Sequence, residues 1–161
     1  MGTYGLVAAY VAIAIPLLGM RIDYSISREI VGNKPMLLAC KMREQALFYL
    51  SNYAGLAVLV LLGLSLHYKG LDPQIAAYAL VLAILESLAT MTSSNLVSLR
   101  RPVLANILFF IRSAAWAVPV IGLGFFWPSL RTAEFVFNSW IFGVMTSLLV
   151  TAFVWRNLPW A

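Results

Sequence analysis

The sequence predicts an all-α integral membrane protein with five transmembrane helices, and three observations carry the prediction. The 161-residue chain is 62% hydrophobic and 11% charged, against about 45–50% apolar and about 25% charged for a soluble domain. Its apolar runs reach roughly 20 residues, the length that crosses a bilayer as helix. Those runs are continuous, whereas the strands of a β-barrel alternate apolar and polar residues in segments of about ten. No linker, low-complexity stretch or short-period repeat interrupts the chain, so it reads as one bundle.

The spans are expected at about 3–30, 45–66, 74–99, 103–126 and 133–155. The first carries Pro16, which removes a backbone donor and predicts a kink. Gly32-Asn33-Lys34-Pro35 stops it. Residues 36–45 mix apolar and basic side chains and read as an interfacial elbow, or as the start of the second helix. The second span holds Asn52. Asp72 before Pro73 is placed to cap the third span, with proline at its first helical position. That helix is polar in its second half, with Glu86, Ser87, Thr90, Thr92, Ser93, Ser94 and Asn95. Arg100-Arg101-Pro102 separates it from the fourth span, which carries Asn106, Arg112 and Pro119. Tryptophans and tyrosines near helix ends read as interface anchors.

Residues 20–44 hold five of the eleven Lys/Arg residues and three of the six acids. Counted by connection, Arg21, Arg28, Lys34, Lys41, Arg43, Arg100, Arg101 and Arg156 fall on alternate links, against Lys69 and Arg131 on the others. The positive-inside rule then sets the N-terminus outside and the C-terminus in the cytoplasm. The expected location is the inner (plasma) membrane. An N-out start implies a preceding helix, and hence a piece of a larger transporter.

The net charge of +5 is explained by this orientation, so no nucleic-acid partner is expected. Cys40 is the single cysteine and can form no internal disulfide; His67 has no second ligand near it. A Gly-rich phosphate loop, a His/Glu metal spacing and a Ser/His/Asp set are all missing. The expectation is therefore no enzyme, no cofactor and no metal.

Two charges fall inside spans. Glu86 lies thirteen positions before Leu99 and Arg112 ten after Pro102, roughly 20 and 15 Å from the same end at about 1.5 Å per residue. An isolated charge at that depth costs about 2.5–3.5 kcal/mol or more. The pair is read either as an ion pair that locks two helices or as the lining of a polar cavity. Glu86, Thr90 and Ser93/Ser94 recur on one helical face. Asn52, Asn106 and Ser113 add polar groups to the cavity reading.

A family resemblance joins these features. Gly2-Thr3-Tyr4 at the entry of the first helix, and Gly19, Met20, Ser25 and Arg28 at its exit, resemble the second helix of polysaccharide (O-antigen type) flippases. These belong to the multidrug/oligosaccharidyl-lipid/polysaccharide exporter superfamily. The acidic helix leading through Arg100-Arg101-Pro102 to a helix with Arg112 is also similar. The resemblance implies that the five spans correspond to helices two to six, part of one lobe of a two-lobe flippase. It implies translocation of a lipid-linked oligosaccharide, of the polyprenyl pyrophosphate type, with a missing second lobe or partner chain. Arg28 and Arg112 carry over as cationic lining, and Arg21, Asp23 and Glu86 less directly. Two alternatives stay open: a small structural or accessory membrane protein with a helix-locking Glu86–Arg112 pair, and a fragment of a cation-coupled drug exporter.

Overall fold

The computed structural model describes residues 2–19, 28, 35–65 and 72–156. Among these nearly every residue is helical and no strand is present. The helices are α1 (Thr3–Gly19), α2 (Pro35–Ser65), α3 (Pro73–Ser98), α4 (Pro102–Phe126, with a π turn at Ile111–Ala115) and α5 (Ala133–Arg156). A short 3-10 turn, Pro128–Leu130, lies between α4 and α5. The last four helices are long and apolar enough to cross a membrane. With 17 residues, α1 covers about 25 Å at 1.5 Å per residue, short of the roughly 30 Å hydrocarbon core.

Two expectations shift. The stretch 36–45 is not a separate elbow: α2 runs without a break from Pro35. Nothing in it breaks a helix, and proline is tolerated in a first turn. Lys41 and Glu44 pair across one turn at 3.1 Å. The first helix stays helical through Pro16 as far as Gly19. Its expected continuation to residue 30 lies outside the described residues except for Arg28, as do the stop at 32–34 and the turn at 66–71. The fourth span, expected as ordinary α-helix, contains five residues of π helix.

The start of α3 forms as its sequence dictates. Asp72 Oδ1 accepts from the Gln74 backbone N–H at 2.9 Å, and Pro73 occupies the first helical position, where its missing N–H costs nothing.

The packing centres on α3, which touches each of the other four helices. Val7, Val11, Ala14 and Leu18 form one stripe of α1 at helical spacing and pack on Leu82, Ala83 and Met91 of α3. Tyr49 and Tyr53 of α2 and Phe137 of α5 complete this core. A smaller cluster of Leu96, Ala105 and Leu108 seats Leu104, Val154 and Trp155, joining the end of α3 to the start of α4 and the end of α5. The outer surface is apolar: Leu59, Ile121, Phe125, Phe142 and Leu149 are all exposed. A soluble protein rarely leaves so much apolar surface uncovered, whereas a bilayer covers it.

The helix alternation sorts charge by end. Lys41, Arg43, Arg100, Arg101 and Arg156 stand with Glu44 at one end of the bundle, and Asp72, Arg131 and Glu134 at the other. Tyr4 stacks on Phe137 at 6.3 Å, so α1 begins toward the second end, where Gln74 Nε2 donates to Glu134 Oε1 at 2.8 Å.

Replacing Asp72 with Ala should cost about 1 kcal/mol, read as an earlier unfolding midpoint in detergent with unchanged helix content. No loss would mean that the cap contributes nothing.

Candidate functional site

The fourth helix brings Arg112 back to the level of Glu86, as antiparallel neighbours joined by a three-residue turn require. The two side chains meet in the bundle interior, at 7% and 8% exposure. Arg112 Nη1 stands 3.7 Å from Glu86 Oε2. The same nitrogen donates to Thr90 Oγ1 at 3.1 Å and to the Glu86 carbonyl at 3.5 Å. Thr90 gives its own proton back to the Glu86 carbonyl at 2.8 Å, which leaves its oxygen lone pairs free to receive Arg112. The guanidinium carbon also lies 5.3 Å from the centre of the Phe109 ring, close enough for cation–π attraction.

The other carboxylate oxygen is taken by a third helix. Trp140 Nε1 of α5 donates to Glu86 Oε1 at 2.7 Å. Its ring stacks on Trp116 of α4, with centroids 5.9 Å apart and planes 11° apart. Trp116 in turn donates its indole N–H to the Arg112 carbonyl at 2.9 Å. Glu86, Arg112, Trp116 and Trp140 thus close a loop through α3, α4 and α5.

The π turn lies inside this loop. Arg112 is its second residue and Trp116 follows it directly. Widening the helix here takes backbone carbonyls out of the regular ladder, and the Trp116 indole supplies a donor to one of them. Pro119 has no N–H to offer the carbonyl four residues earlier, which belongs to Ala115, the last residue of the π turn. Gly143 makes room on α5: a Cβ there would stand 2.7 Å from Trp116 Cδ1 and 3.0 Å from its Cβ and Cγ.

Elsewhere the expected residues separate. Asn52 Nδ2 donates to the Leu18 carbonyl at 2.7 Å and so ties α2 to the end of α1. It borders an apolar groove of about 380 Å³ between those helices, lined also by Tyr10, Leu17, Ser51 and Gly55. Asn106 is exposed on α4, on the same face as Ser113, whose hydroxyl returns to the Phe109 carbonyl. Neither asparagine joins the Glu86–Arg112 cluster. Arg28 is exposed; Arg21 and Asp23 lie outside the described residues. Among the described residues no group of three or more metal-ligating side chains is present.

Four residues of this region are absent from the sequence-based site. Trp116 and Trp140 sit well inside their helices, so the reading of tryptophans near helix ends as interface anchors does not reach them and no other signal singles them out. Gln45 and Asn95 are buried at 0% and 1% exposure, and Asn95 Nδ2 donates to Gln45 Oε1 at 3.0 Å. That amide bond is a polar link from α2 to α3.

Gly143→Ala should destabilise the bundle by about 1–3 kcal/mol, the cost of overpacking, and disturb the tryptophan stack. Trp140→Phe keeps the ring but removes the donor to the carboxylate, a loss of about 1.5–3 kcal/mol for a bond to a charged group. Equilibrium unfolding with near-UV circular dichroism checks both. Unchanged stability for both would separate the tryptophans from the charge pair.

Models of known protein families, curated proteins and solved structures all yield no match to this chain.

Proposed function

We propose that this chain is a helical unit of a membrane transporter that moves a lipid-linked oligosaccharide across the cytoplasmic membrane, acting with a second lobe or partner chain. The observation that carries the reading is the Glu86–Arg112 pair, buried among three helices beside a π turn. Ionisable groups inside spanning segments are expensive and concentrate on substrate and ion pathways, and π turns recur at functional sites. The chemistry fits a phosphate-bearing substrate. A pyrophosphate offers the guanidinium the same paired oxygens as a carboxylate with more charge, so it can compete with Glu86 for Arg112. The released carboxylate would keep the Trp140 hydrogen bond and would not be left without a partner. Arg28, exposed beyond the end of α1, is the companion cation in this reading. The N-terminus lies outside and the basic end faces the cytoplasm, as the positive-inside rule requires.

A second reading has its own support: the pair serves only to lock α3, α4 and α5 in place. It is favoured by the partners named above, all of which belong to the protein and close the cluster upon itself.

One experiment separates the two. Arg112→Ala should be poorly folded, because it strands a buried carboxylate at a cost of about 3–5 kcal/mol. Glu86→Gln combined with Arg112→Met removes both charges and should fold better. Under the transport reading this double variant inserts normally yet leaves lipid-linked saccharide on the cytoplasmic leaflet. Normal export by the well-folded double variant would establish the locking role and sink the transport role. If the double variant is no better folded than the single, the pairing itself fails. Arg28→Ala should reduce export; undiminished export removes it from the site.

A further inference from the structure

The basic end of the bundle has a consequence apart from the buried pair. Arg43, Arg100, Arg101 and Arg156 are all exposed there, contributed by the start of α2, the α3–α4 turn and the end of α5. Packing of Val154 and Trp155 against Leu96 and Leu104 sets the last turn of α5 beside the α3–α4 corner. The described acid at this end, Glu44, is held by Lys41 at 3.1 Å. Among the described residues the ion pairs are Lys41–Glu44 and Arg112–Glu86, and none of these four guanidiniums takes part in one.

The turn adds an independent observation. Arg100 has φ 61°, the non-glycine residue with positive φ among those described. Its N–H bonds to the Val97 carbonyl and that of Arg101 to the Leu96 carbonyl, both at 3.0 Å. This is the helix-ending motif whose left-handed position ordinarily goes to glycine. An arginine there keeps its side chain against a conformational penalty, and the motif sets that side chain on the rim of the bundle beside Arg101.

We propose that this rim binds the phosphate headgroups of anionic phospholipids in the adjoining leaflet. Among the described residues the four guanidiniums outnumber the one acid at this end and form no ion pair, and they stand at the end of helices whose apolar flanks already lie against acyl chains. Arginine presents planar, paired donors that suit a phosphodiester. Trp155 beside the rim is the residue type that favours the headgroup level.

The test uses the full protein in proteoliposomes at low ionic strength. The relative association of spin-labelled phosphatidylglycerol and phosphatidylcholine is compared by electron spin resonance. A basic residue near a membrane surface strengthens attraction to anionic lipid about fivefold. The wild type should therefore prefer phosphatidylglycerol by at least about fivefold, and Arg100→Gln/Arg101→Gln/Arg156→Gln should cut that preference severalfold. Arg131→Gln, at the opposite end with Asp72 and Glu134, should change the preference far less. Arg100→Gly is the control for folding: it relieves the backbone penalty, so it should unfold later than wild type while losing part of the lipid preference. No preference in the wild type overturns the proposal, as does a preference that the triple variant leaves undiminished. Inorganic phosphate added to pure phosphatidylcholine proteoliposomes supplies the last arm. If it raises the unfolding temperature as much as phosphatidylglycerol does, the rim takes a free anion and the lipid assignment falls.

Discussion

A charged pair inside a membrane bundle must be satisfied locally, and most of what is unusual here answers to that constraint. Glu86 and Arg112 each lie more than nine-tenths buried. Lipid offers neither group a hydrogen bond, so the surrounding helices supply them. Trp140 reaches one carboxylate oxygen while Arg112 faces the other, and Thr90 with the Glu86 carbonyl takes up the guanidinium. The Trp116 stack, the π turn and the absence of a side chain at Gly143 follow from fitting two indoles between α4 and α5. Arg112 alone would be a destabilising charge; within this cluster it connects three helices.

The same physics shapes the whole bundle. Lipid tails are as apolar as leucine, so burying leucine gives no hydrophobic gain between membrane helices; close packing and polar contacts take its place. Accordingly α3 buries Glu86, Ser87, Thr92 and Asn95 together with small residues such as Ala83 and Ala89, while large apolar side chains of α2, α4 and α5 point outward. α2 is joined to its neighbours partly through amides, Gln45 to Asn95 and Asn52 to the end of α1. Polar groups set among apolar ones in the interior, beneath an apolar exterior, depart from the pattern of a soluble domain, and this follows from the solvent.

Charge at the two ends meets water, and charge in the middle ties helices together. These two uses explain why so few ionisable residues suffice. The exposed arginines of the rim cost little because water and headgroups solvate them. The buried pair is costly and therefore tightly surrounded. Under the transport reading its surroundings also matter kinetically, because a carboxylate still held by Trp140 can part from Arg112 without becoming fully unsolvated.

The class, the positions of four spans and the meeting of Glu86 with Arg112 were legible in the sequence. Each rests on local rules: run length, turn residues such as Asp72-Pro73 and Arg101-Pro102, and the fixed rise of a helix that sets antiparallel neighbours level. The faces around each helix were not legible. Period and spacing grouped Asn52 and Asn106 with the pair, yet Asn52 turns to α1 and Asn106 lies on the outer surface. Trp116 and Trp140 lie mid-helix, away from the ends where tryptophans read as anchors, and their pairing depends on how α4 and α5 rotate against each other. The continuity of α2 through its basic start depends on no helix-breaking residue being present, and residues 36–45 admit both readings until α3 supplies Asn95 for Gln45. Sequence alone determined which segments leave water and which end carries positive charge, because both are sums over short stretches. Tertiary structure decided which polar groups meet, because that is set by helix rotation and by the room left at residues such as Gly143.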